Sequence, residues 1–173
     1  DATQVTVEGR RRMTPCGNGV MAWLGDRSSI PSRYRIRWTD RYGERHERVD
    51  PYCLGDRLED ADNLDFWDWE RGHADGLGAT PTEVEGVSGV QFAVWAPRAM
   101  GARVTLPGGA LPMRHHPTTG IWSLFVPGVR IGCSYGFELH LLDGRTVWHT
   151  DPYGRRFESR PGWRAQVAAV PGD

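Results

Sequence analysis

Two histidines stand side by side at His115-His116, a Pro-Gly-Gly run stands at Pro107-Gly108-Gly109, and three cysteines lie far apart at Cys16, Cys53 and Cys133. Adjacent residues on a strand point to opposite faces, so the two imidazoles do not converge on one metal. The Gly-rich run leads into no helix and so provides no N-terminal cradle for a phosphate. Three widely spaced cysteines build neither a disulfide framework nor a CxxC site, and they fit a reducing compartment. The chain has no GxSxG elbow, no Walker loop, no HExxH and no EF-hand spacing. These residues lead us to expect no catalytic residue, no cofactor and no metal.

A denser set of polar groups lies between residues 54 and 87, where Glu59, Asp60, Asp62, Asp65, Asp68 and Glu70 alternate with Phe66, Trp67 and Trp69. This pattern reads as a connector that packs its aromatic rings and leaves its carboxylates in water, ahead of a functional acidic cluster. The basic residues are all Arg, and the net charge is −1. A chain so balanced is not a nucleic-acid binder, and Arg10-Arg11-Arg12 and Arg155-Arg156 read as solvated surface. No apolar run approaches the roughly 20 residues of a membrane span. We expect a cytoplasmic protein.

What positions these groups is a repeat. Tyr34 to Tyr52, YRIRWTDRYGERHERVDPY, and Tyr135 to Tyr153, YGFELHLLDGRTVWHTDPY, have the same length and share Tyr, an interior Gly and a closing Asp-Pro-Tyr, always 101 positions apart. Apolar residues alternate at Tyr34, Ile36 and Trp38 and again at Tyr135, Phe137 and Leu139, which is the period of a strand. Each copy reads as a β-hairpin turning at its Gly, Asp143-Gly144 in the second, with proline ending the return strand.

The flanks extend the repeat. Gln4 to Val7 (QVTV) match Arg103 to Leu106 (RVTL), and Met21 to Leu24 (MAWL) match Trp122 to Phe125 (WSLF) as core strands. Gly89 to Pro97, GVQFAVWAP, is a strong strand whose counterpart would lie before Asp1, so we expect either that the first domain has lost its opening strand or, as the absent initiator Met favours, that the sequence starts inside a longer protein. The predicted fold is all-β, two tandem immunoglobulin-like β-sandwich domains joined by an irregular connector. The expected boundaries are a first sandwich over 1–53, a connector over 54–86, a second sandwich over 87–158, and a tail over 159–173.

GVSGVQFAVWAPRA at Gly86 to Ala99, GIWSLFVPGV at Gly120 to Val129, and DGRTVWHTDPYGRRFESRPGW at Asp143 to Trp163 resemble stretches of bacterial 1,4-α-glucan (glycogen) branching enzymes. LGATPTEVEGVSGV at Leu77 to Val90 resembles that family's passage from its first N-terminal domain to its second, a family-48 carbohydrate-binding module. The resemblance implies the non-catalytic N-terminal region of a glycosyltransferase of glycogen biosynthesis. Its partners would be the catalytic barrel of the parent enzyme and α-glucan. The family's nucleophile and acid/base belong to that barrel, and no residue here matches them. Stand-alone glycogen targeting, or an interaction domain without sugar function, is the alternative.

The resemblance also singles out Trp148. Family-48 modules that grip α-glucan commonly use two Trp platforms, one in an FNxW-type loop and one just before the Asp-Pro. Here the first is missing, since Val104 runs through TLPGGALP to Met113, and Gly136 stands where a basic residue often follows the repeat's Tyr. Trp148 falls at the second platform. A two-residue Asp143-Gly144 turn would pair it with Leu139 on the core face, and a three-residue turn through Arg145 would pair it with His140 facing out. With one platform of two, binding is expected to be weak.

Overall fold

The computed structural model describes residues 4–17, 20–55, 76–159 and 162–169. They divide into two units, Asp1–Leu54 and Gly55–Asp173. Among the described residues there are strands and two short 3-10 turns and no α-helix. The acidic, aromatic stretch with Phe66, Trp67 and Trp69 lies outside the described residues.

The first unit contains β1 (Gln4–Val7), β2 (Arg11–Arg12), β3 (Thr14–Gly17), β4 (Val20–Ala22), β5 (Arg35–Thr39) and β6 (Arg45–Val49). Its main sheet runs β2-β1-β5-β6, all antiparallel, and β3 and β4 pair separately. Val5 and Val7 fill the inner face of β1, and Leu54 is also buried. The expectation that Met21 to Leu24 form a core strand is corrected. Residues 21–23 are only half-buried and Leu24 is 94% exposed.

The second unit contains β7 (Gly78–Val84), β8 (Val87–Trp95), β9 (Ala99–Leu106), β10 (Gly109–Pro112), β11 (Arg114–His116), β12 (Ile121–Pro127), β13 (Ser134–Leu141), β14 (Thr146–His149), β15 (Arg156–Phe157) and β16 (Ala165–Gln166). One sheet runs β11-β12-β8-β7; the other runs β10-β9-β13-β16-β15, with β14 also on β13. Alternation sends Phe92 and Val94 from β8, Val104 from β9, Leu124 from β12, and Tyr135 and Phe137 from β13 into one core. Tyr135 packs between Phe92 and Phe137, with ring centroids 5.1 and 5.9 Å away. Two stretches assigned to connector and tail belong to these sheets. Gly78–Val84 is an edge strand, where Pro81 is tolerated because no second neighbour needs its N–H. Ala165–Gln166 pairs with Tyr135 and Ser134.

The repeat is real in three dimensions. Arg37 pairs with Glu47 in the first hairpin, and Glu138 pairs with Trp148 at the equivalent place in the second. Both turns have three residues, Arg41-Tyr42-Gly43 and Leu142-Asp143-Gly144. They close through Asp40 N–H to Glu44 C=O (3.0 Å) and Leu141 N–H to Arg145 C=O (2.8 Å). The third residue must be left-handed in this turn, and Gly43 and Gly144 have φ of 82° and 80°. Through the neighbouring strand, however, Thr6 and not Gln4 is the counterpart of Arg103, since Thr6 pairs with Arg37 and Arg103 with Glu138.

Asp-Pro-Tyr has a double duty in each copy. One oxygen of Asp151 accepts the Tyr135 hydroxyl at 2.5 Å and the other accepts the Tyr153 N–H at 2.9 Å. Asp50 does the same for Tyr34 (2.7 Å) and Tyr52 (2.9 Å). The proline at the next position supplies φ for the turn and needs no partner for an N–H. Each hairpin is thus tied, strand start to strand end, by one buried or half-buried side-chain bond.

Candidate functional site

The three-residue turn decides where Trp148 points. Neither register set out from the sequence is the one formed: the loop is completed by Leu142, not Arg145, and Trp148 stands opposite Glu138. Leu139 pairs with Val147, so the core face of β14 belongs to Val147 and Trp148 lies on the outer face, 42% exposed. Asp143 fixes this loop by accepting the Arg145 N–H at 3.0 Å.

The indole lies over Gly136. A Cβ on Gly136 would stand 2.4 to 3.0 Å from three atoms of the ring, so no other residue fits beneath it without moving it. Across the sheet, Thr105 pairs with Gly136, and the indole Nε1–H donates to the Thr105 hydroxyl at 3.2 Å. Arg164 places its guanidinium 5.8 Å from the ring centroid, within cation–π range. The basic residue missing after Tyr135 is therefore replaced by space, and the ring occupies that space.

Charged groups flank the ring on the same face. Glu138 Oε1 lies 3.6 Å from Arg103 and 3.3 Å from His140 Nε2, and His140 Nδ1 shares a hydrogen bond of 2.9 Å with the Thr146 hydroxyl. A flat apolar ring with carboxylate, guanidinium and hydroxyl groups around it can take one face of a pyranose and its hydroxyls. Among the described residues, no acid and nucleophile pair is arranged around it.

Beneath this face, the Tyr135–Asp151 pair is electrostatically strained toward its neutral forms. Burial pushes the Asp151 carboxyl above its usual range, against the pull of the hydrogen bonds from Tyr135 and the Tyr153 N–H. Burial, and then the Asp151 charge, push the Tyr135 phenol well above its ordinary value. These groups hold the hairpin and are far too buried to meet a ligand.

Among the described residues, the first unit has no such platform. Glu47 stands where Trp148 stands in the second copy, and it closes ion pairs with Arg35 (2.7 Å) and Arg37 (2.5 Å) on the outer face. Sequence reasoning missed one group there: Asp40, Glu44 and His46 bring one ligand atom each within 4.8 Å of one another. Asp40 is already engaged by the N–H groups of Tyr42 and Glu44 and by His46 at 3.0 Å, which reads as a hairpin clamp. His115 and His116 diverge as alternation requires, His115 stacking on Trp122 and His116 bonding Ser123.

Residues 76–154 match carbohydrate-binding module 48, the isoamylase N-terminal domain. The chain is 38% identical over 159 residues to the 1,4-alpha-glucan branching enzyme GlgB of Nitrosococcus oceani, a match covering 87% of this chain and 21% of that enzyme. It is 34% identical over 160 residues to that of Cellvibrio japonicus, covering 88% and 22%. It is also 38% identical over 170 residues to that of Methylococcus capsulatus, covering 93% and 23%. The chain spans about a fifth of the length of these curated relatives. No helix among the described residues is long and apolar enough to cross a membrane.

Proposed function

We propose that this chain, whose residues 76–154 match carbohydrate-binding module 48 and which matches 1,4-alpha-glucan branching enzymes over most of its own length, is the non-catalytic N-terminal region of such an enzyme. In this reading it works in the cytoplasm as a scaffold for a catalytic barrel, and its second unit holds α-glucan weakly through Trp148. The observation that carries the sugar reading is the half-exposed indole seated over Gly136 and pinned by Thr105. An apolar ring in that attitude matches the apolar face of a glucose unit, and the Arg103–Glu138 pair beside it can meet hydroxyls.

Weak binding follows from counting rings. If a stacked ring contributes on the order of 2 kcal/mol, a site lacking the FNxW-type platform is weaker by roughly 30-fold. Titration of this chain with maltoheptaose, followed by tryptophan fluorescence, tests the reading. Saturable binding that disappears in Trp148→Ala is the expected result. Binding that survives the substitution overturns it.

A further inference from the structure

Trp163 is a second exposed indole, 58% accessible, and its backbone has φ of 47°. Bulky residues rarely adopt this left-handed conformation, whereas glycine adopts it freely. A strand continued back from β16 would aim residue 163 to the side of Ala165, which is fully buried. The left-handed turn breaks that alternation and leaves more than half of the residue accessible. It is held there from two sides: the Thr150 hydroxyl donates to the Trp163 carbonyl at 2.7 Å, and the Glu158 N–H donates to the Arg164 carbonyl at 2.9 Å.

The position of this ring is what gives it a use. Thr150 lies two residues beyond Trp148, and Arg164, next to Trp163, reaches within 5.8 Å of the Trp148 ring. In the sheet, β9 and its shortened turn lie on one side of β13, and β16 lies on the other. We propose that Trp163 and Arg164 extend the Trp148 platform into a longer subsite for an α-glucan chain, on the side of β13 away from that turn. This rests on the reading of Trp148 given above. Trp163 offers a second stacking face, and the planar Arg164 fork, 5.8 Å from the Trp148 ring centroid, offers donors to the sugar oxygens beside that ring.

The test uses the 173-residue chain, isothermal titration with maltotriose and with maltoheptaose, and three variants. Glycine suits the backbone at 163, so Trp163→Gly is expected to keep or raise the melting temperature while it weakens maltoheptaose binding by about tenfold or more. Maltotriose, short enough to use Trp148 alone, should change by less than about twofold. Trp163→Phe, which keeps a ring, should retain most of the maltoheptaose affinity. If Trp163→Gly binds maltoheptaose as tightly as the parent chain while Trp148→Ala does not bind, the extension is wrong and the Trp148 reading stands. If Trp148→Ala binds like the parent chain, or the parent chain binds neither sugar, both fall.

Discussion

Trp148 rests on Gly136, and the missing side chain at 136 is what keeps the indole against the sheet. With ring atoms at 2.4, 2.7 and 3.0 Å from an ideal Cβ, even Gly136→Ala must lift the ring. Lifting it breaks the Nε1–H bond to Thr105, worth about 0.5–1.5 kcal/mol. We therefore expect the Trp148 indole N–H resonance, assigned with Trp148→Phe, to shift and broaden in Gly136→Ala. Thr105→Val should shift the same resonance and leave the others in place. An unchanged resonance in both variants would mean the ring is held by something else.

The bond from Tyr135 to Asp151 carries a second expectation. Tyr135→Phe leaves the fully buried carboxyl with one donor fewer, at a cost of about 1–3 kcal/mol. Tyr34→Phe makes the equivalent change at Asp50, which is 8% exposed, beside a Tyr34 that is only half-buried, and should cost less. Chemical unfolding of the two variants, read against the parent chain, gives the order directly. Equal losses would show that burial does not set the strength of this tie.

Asp151 also predicts a pH dependence with a definite sign. Its folded-state pKa is raised above the ordinary 3.8, so the native chain binds this proton more tightly than the unfolded chain does. Stability from this group therefore increases as pH falls through the folded pKa and levels off below the ordinary value. Asp151→Asn keeps an acceptor for Tyr135 and removes the charge, so it should abolish that part of the slope. At the alkaline end Tyr135, raised above 10.0, holds its proton in the native state and loses stability as pH climbs beyond that value. Tyr135→Phe should make the alkaline limb shallower, leaving the part from Tyr34, whose phenol burial also raises. A parent chain whose acid limb is identical to that of Asp151→Asn would contradict the burial argument.

Much of this was legible because the repeat is long and ungapped. Two Tyr residues, two Asp-Pro-Tyr ends and two glycines at one offset force a common hairpin, and all four pairs of the second ladder match pairs of the first, which has one more, Arg35 with Val49. What the sequence hid was the size of the turn. Leu142 looks like a strand residue, yet it is 75% exposed at the loop tip, and only the shared position of Gly43 and Gly144 points to a three-residue loop. Met21 to Leu24 misled because an apolar tetrapeptide has no partner face of its own. Trp122 to Phe125 all pair with β8 in the middle of β12, and Trp122 and Leu124 pack into the core of the second unit. Ala165–Gln166 is too short to show any period, and Trp163 gives no sign in sequence that its backbone is left-handed.

The final expectation concerns the glycines that set the turns. Gly43 and Gly144 have φ of 82° and 80°, and nothing lies within 4 Å of where a Cβ would stand. Substitution there meets no clash, so its whole effect is the left-handed backbone, roughly 1–2 kcal/mol for alanine. Asparagine tolerates that conformation better and should recover part of the loss. Because each glycine sits in its own unit, Gly43→Ala should weaken the first unit and Gly144→Ala the second. Calorimetry of both variants and of the two Asn substitutions tests this. Unchanged melting of the second unit in Gly144→Ala, or of the first in Gly43→Ala, would show that these turns do not depend on a left-handed third residue.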